Sequence, residues 1–206
     1  MAIRTANNQS LTEITALPSA VAKGGLVLLA TETASSSATI DFTSGIDSTY
    51  KEYIFKFINL HPSAANAYSL TFNGSIDTGS NYNVTKTTTV FRAYHDEGDT
   101  ATAVDYRTGS DIAQGTGFQT LGADGYLDDD ADSSFSGTLH LFNPSSTTFV
   151  KHFIATTNMV VAGPQSSNNF VAGYFNDTND IDAIQFKMTD GNIDSGTIKL
   201  YGIKDS

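Results

Sequence analysis

From Gly25 onward, apolar and polar residues alternate along most of this chain, the pattern of strands with one buried face. GGLVLLATET and ATIDFTS predict two short strands divided by the serine run at 35–37. In YKEYIFKFINL, Tyr53, Phe55 and Phe57 share one face while Ile54 and Ile58 share the other. Apolar residues on both sides predict a central strand covered twice, or one whose second face meets a partner subunit. AYSLTFNGS alternates through Tyr68, Leu70 and Phe72, and NVTKTTTVFRAY follows as a longer, Thr-rich strand. Between residues 96 and 134 the pattern thins, with TAVDYRT and GFQTLG as short candidates inside Gly- and Asp-rich loops. Such loops gather at one end of a domain.

Order returns with SGTLHLFNPSSTTFVKHFIATT, a hairpin turning at 143–146, and continues through NNFVAGYF, DAIQFKM and GTIKLYGI. Ile184, Phe186 and Met188 share a face, and a local hairpin across DGNIDSG pairs them with Ile198 and Leu200. GTLHLFN and GTIKLYG echo one another, which common strand chemistry explains better than a repeat. About ten short strands with turn-rich joints predict an all-β domain over residues 25–206. Its expected form is a two-sheet antiparallel sandwich, jelly-roll-like.

Residues 1–24 carry a different pattern and are read as an N-terminal arm. Ser10 and Glu13 have capping-box spacing, and Pro18 halts whatever helix they start. One or two turns cannot stand alone and need a surface. Leu11, Ile14 and Leu17 form a small apolar ridge, the candidate interaction residues of the chain. Two destinations stay open: the arm's own domain, or a neighbouring subunit or lattice.

Composition supports the all-β reading. Thr, Ser, Asn and Gly exceed a third of the chain, and the only glutamates are Glu13, Glu32, Glu52 and Glu97. Acid carried by Asp belongs in turns rather than helices. A formal net charge of -11 argues against nucleic acid, which needs clustered Lys and Arg, and equally against an anionic membrane. No apolar run approaches the roughly 18 residues of a membrane helix. MAIRTANNQS lacks the apolar segment of a Sec signal. Without cysteine, neither a disulfide nor a thiolate zinc site is available.

Catalytic chemistry is sparsely represented. G-x-S-x-G, H-E-x-x-H and a Gly-rich loop ending in GK[ST] are all absent, so no catalytic residue and no cofactor is expected. His140 and His152 lie on the two arms of one hairpin. An even turn at 143–146 puts them on opposite faces, and an odd one brings them together. DDDADSS places Asp128, Asp130 and Asp132 at alternate positions, like the start of a calcium loop. Ser133 and Leu139 stand where an EF-hand needs Gly and Glu, so a solvated acidic loop without metal is expected. Loop aromatics that could serve a receptor or glycan are Tyr82, Tyr94, Tyr106 and Tyr126.

SLTEITALPSAV, SGIDSTYKEYIFKFINLHPS, GTLHLFNPSSTTFVKHFIATT and GTIKLYGI together resemble small virion proteins of marine tailed bacteriophages. The similarity spans nearly the whole chain, and its phrases are structural rather than catalytic. It implies a β-sandwich on the particle surface, most simply a capsid decoration or head-fibre protein on the outer shell. The partners implied are the chain itself, as a homo-oligomer such as a trimer, and the major capsid protein or another virion protein. The alternative it implies is a receptor- or glycan-binding module on a tail fibre. Assembly in a host cytoplasm followed by lysis requires no export signal. An acidic surface suits seawater, where salt screens its self-repulsion.

Overall fold

In a computed structural model, the chain is described at residues 25–64, 67, 69–123, 127–163 and 165–204. The arm with Leu11, Ile14 and Leu17 lies outside the described residues, as do Tyr68 and Tyr126. The strands run β1 (Gly25–Thr33), β2 (Ile40–Phe42), β3 (Glu52–Pro62), β4 (Leu70–Ser75), β5 (Lys86–Asp96) and β6 (Thr102–Tyr106). They continue as β7 (Gln119–Thr120), β8 (Phe135–Phe142), β9 (Lys151–Val161), β10 (Gln165–Phe175), β11 (Ala183–Met188) and β12 (Ile193–Lys204).

Two antiparallel sheets result, one of eight strands ordered β1-β12-β3-β8-β9-β10-β5-β6 and one of four ordered β2-β11-β4-β7. Four pairings nest inside one another: β1 with β12, β2 with β11, β3 with β8, and β4 with β7. That is a long hairpin wound across two sheets, the construction of a jelly roll. The four remaining strands are additions. β5 and β6 leave between β4 and β7, β9 and β10 leave between β8 and β11, and together they extend the large sheet beyond β8.

Alternation along each strand fills the space between the sheets. Along β9, Phe153, Ala155, Thr157, Met159 and Val161 are buried while His152, Ile154, Thr156 and Asn158 are exposed. Phe186 of β11 meets Phe55 and Phe57 of the large sheet at ring-centroid distances of 5.2 and 5.3 Å. Phe42 and Phe72 close the same cluster from its own sheet at 6.1 and 6.4 Å. Mostly edge-to-face contacts of this kind add to the area the rings remove from water. β4 is buried on both faces, because loops cover the small sheet. There the Asn73 amide donates to the carbonyls of Tyr82 and Thr116 at 2.7 and 2.9 Å.

The expected local hairpin between β11 and β12 does not form. β12 pairs with β1 and β3, while β11 pairs with β2 and β4 in the other sheet. Ile184 and Phe186 therefore face Ile198 and Leu200 across the core instead of lying beside them, and all four are fully buried. The segment between them crosses from one sheet to the other. The echo of GTLHLFN and GTIKLYG falls on β8 and β12, the two strands that flank β3. Gly196 in the second phrase has φ +106, and a Cβ there would lie 2.4 Å from the Asn59 carbonyl oxygen. Glycine is required at this point because β3 and β12 slip register around it.

Candidate functional site

One face of the large sheet packs on the core, and the other, carried by β9, β10 and β5 in its added half, is open. Register across these three strands builds three parallel rows. His152, Tyr174 and Thr87 form the first, Ile154, Ala172 and Thr89 the second, and Thr156, Phe170 and Phe91 the third. The middle row is low because Ala172 has the smallest side chain in it. The outer rows rise where they are aromatic, at His152 and Tyr174 in the first and at Phe170 and Phe91 in the third. His152 and Tyr174 stand 5.9 Å apart by ring centroid, and Phe91 stacks on Phe170 at 4.7 Å with planes 10° apart. The result is a trough of about 390 Å³ over Ala172, walled at one end by His152 and Tyr174. A smaller hollow of about 150 Å³ continues it toward Phe91 and Phe170.

Ile154 is 51 % exposed and Phe91 43 % exposed, so this half of the face is apolar and wet at once. None of the residues lining the trough is Asp, Glu, Lys or Arg. The other half of the same face is charged. Lys56 and Lys199 sit directly opposite one another on β3 and β12, and Lys56 Nζ lies 5.5 Å above the Tyr201 ring. His140 Nδ1 and Glu52 Oε1 meet at 2.6 Å between β8 and β3.

His140 and His152 share this outer face, which replaces the expectation drawn from an even turn. Ser146 N does donate to Asn143 O, but the connection runs on to residue 150, and His140 comes to lie opposite Ile154. That register places His152 diagonally from His140 on one side of the sheet.

The acidic loop brings together carboxylates of Asp128, Asp129 and Asp130, whose nearest ligand atoms lie within 4.8 Å of one another. Asp132 is not in that group. Ser133 Oγ donates to Asp128 Oδ2 at 3.1 Å, and the Asp130 backbone N–H donates to Asp128 Oδ1 at 3.4 Å. These are the internal bonds of an acidic turn, and chelation is expected to leave the melting temperature unchanged. A fall in Tm with chelator that calcium reverses would make the three aspartates ligands.

The loop tyrosines do not form one platform. Tyr106 is exposed and donates from its hydroxyl to Asp111 Oδ2 at 2.5 Å. Tyr94 is half-buried beneath the Arg92 guanidinium, 4.2 Å from its ring centroid. Tyr82 buries its hydroxyl, and burial, with Asp41 second, pushes that group well above the usual tyrosine range.

Two lysines point inward where polarity alone would place them in water. Lys86 and Lys151 flank Phe175 across β5, β10 and β9, and both are fully buried. Lys86 Nζ donates to the Gly117 carbonyl at 2.6 Å and Lys151 Nζ to that of Asp177 at 3.0 Å. Burial lowers the pKa of both amines, Lys86 to about 8, while Asp177 and Asp180 partly offset the shift at Lys151. They tie loops to the end of the sandwich and have no opening to a substrate.

At the far edge of the large sheet lies β1. The opposite side is guarded in part, since residues 107–115 continue the edge of β5 below β6: Arg107 N donates to Val90 O and Thr88 N to Ile112 O. Among the described residues, no strand or loop pairs with the outer edge of β1. Leu26, Val27 and Leu28 are 47 %, 37 % and 53 % exposed, and Glu32 is the only charge in the strand. A long apolar edge of this kind is a template for another chain.

Among the described residues, no helix is long and apolar enough to cross a membrane. Comparison of the chain with family models, with curated proteins and with solved structures gives no match in any of the three.

Proposed function

We propose that this chain is a non-enzymatic structural protein of a tailed-bacteriophage virion, a decoration protein bound to the outer shell. It works as a homo-oligomer, a trimer being the simplest form, and its partners are its own copies and the major capsid protein or another virion protein. The observation that carries the reading is the edge of β1, which pairs with no further strand among the described residues and leaves Leu26, Val27 and Leu28 exposed. The arm bearing Leu11, Ile14 and Leu17 leads straight into that strand. Arm and edge together make an attachment end, and the added strands β5, β6, β9 and β10 are displayed at the opposite end of the sheet. The resemblance of the chain's phrases to phage virion proteins supports the same assignment.

Deleting residues 1–22 should leave a folded β domain that no longer joins particles or its own oligomer. The test assays the truncated protein for β content by circular dichroism, for mass in solution, and for binding to particles that lack the native protein. Unchanged stoichiometry on the particle would remove the arm as the attachment device, and unfolding would place it in the core. Imaging of intact particles carrying the labelled chain distinguishes head from tail.

A further inference from the structure

The geometry points to the trough over Ala172 as a binding site for a neutral oligosaccharide. Its shape is that of a slot between two aromatic rows. Alternate residues of a strand are about 6.6 Å apart along it, so the two outer rows stand about 13 Å apart with the low row between them, room for a sugar ring and its hydroxyls. The 390 Å³ of this trough, open along its solvent side, lies within the range of roughly 300–1,000 Å³ typical of small-molecule sites.

Chemistry narrows the ligand class further. A sugar presents apolar C–H faces and a rim of hydroxyls, and the slot offers a counterpart to each. Ile154 and Ala172 supply an apolar floor, and Phe170 and Tyr174 supply ring surfaces on either side. His152 and Tyr174 carry polar ends with no hydrogen-bonding partner among the described residues. Both can donate to or accept from a hydroxyl.

Charge selects against the rivals. The chain has 22 acidic residues and a net charge of -11, yet the slot is lined by none of its charged side chains. An anionic glycan would find no cation there and would meet the repulsion of the whole molecule. A cationic ligand would find no carboxylate. An uncharged ligand with hydroxyls is the complement that remains. The side chains that build the slot alternate with the buried ones on the same strands, so exchanging them leaves the space between the sheets unchanged.

The inference concerns the isolated protein and stands or falls separately from particle attachment. The test screens the full chain on an array of neutral hexose, pentose and deoxyhexose oligomers beside sialylated, uronic-acid and sulfated ones. Titration of each hit by calorimetry follows. Binding confined to neutral glycans is expected. Ala172→Phe, which fills the slot from the solvent side, should abolish it with an unchanged circular dichroism spectrum. Tyr174→Phe, which removes one hydroxyl only, should weaken it about tenfold, the worth of a single hydrogen bond. Binding to no neutral glycan, preference for the charged ones, or hits unaffected by both variants would overturn the assignment. Self-association that Ala172→Phe abolishes, without any glycan signal, would overturn it too and make the slot an interface between copies.

Discussion

Phe186→Ala is expected to lower the unfolding free energy by about 3–5 kcal/mol, the cost of truncating a fully buried aromatic ring. The ring makes contact with Phe42, Phe55, Phe57 and Phe72, and so bridges the two sheets at their centre. Those neighbours are held by two different sheets and cannot all move in to fill the space, so the cavity term adds to the transfer term. Phe149→Ala provides the contrast. Its ring is 69 % exposed, and its loss should stay within about 0.5 kcal/mol. Urea unfolding of both variants at one pH checks the pair. Equal losses would mean that the space between the sheets is not the core of the molecule.

Lys86→Met should leave the protein at least as stable at pH 7, and the advantage should disappear in alkali. Burial holds the Lys86 amine at about 8 instead of the ordinary 10.5. The unfolded chain therefore binds the proton more tightly than the folded one, and stability rises with pH between those two values. Below about pH 8 the whole penalty is present, roughly 3 kcal/mol from the shift at about 1.36 kcal/mol per unit. Methionine removes the charge, and the Gly117 carbonyl keeps a second donor in Asn73 Nδ2 at 3.4 Å. Denaturant midpoints of parent and variant from pH 7 to 10.5 should converge. A variant clearly less stable at pH 7, with a gap that does not change with pH, would show that the ammonium is a net stabiliser where it sits.

The strands themselves were legible because a half-buried strand repeats every second residue, and the alternation in KTTTVFRAY or KHFIATTNM survives at any register. Pairing was less legible. DAIQFKM and GTIKLYGI read as neighbours because consecutive strands usually pair, yet a jelly roll sends consecutive strands to opposite sheets. The deciding partner of β12 was β1, far away in sequence and invisible to any local pattern. The arm ridge of Leu11, Ile14 and Leu17 is an expectation that the described residues leave where it was.

The candidate site was hardly legible at all. Its low row depends on Ala172 coming to lie between Ile154 and Thr89, and its walls on rows drawn from three strands. No single strand carries the signal. The two histidines could have been placed on one face only by knowing that the connection after β8 runs to residue 150. The inward lysines did leave a trace: Lys86 is in phase with Thr88 and Val90, and Lys151 with Phe153 and Ala155. Charge at the start of a strand reads as solvent-facing, and that prior concealed the phase.

The nested pairing also sets the order in which the molecule can come into being. Gly25 is paired with Lys204, so the first described strand has no partner until the last has been made. At about 5–20 residues per second, a ribosome takes on the order of ten seconds or more to supply it. During that interval β8, β9 and β10 can close as local hairpins, whereas β1 and the β12-facing edge of β3 wait with bare backbone. A chain interrupted before β12 can never close its sheet. Its unpaired edges would stay open to proteolysis and to pairing with other chains.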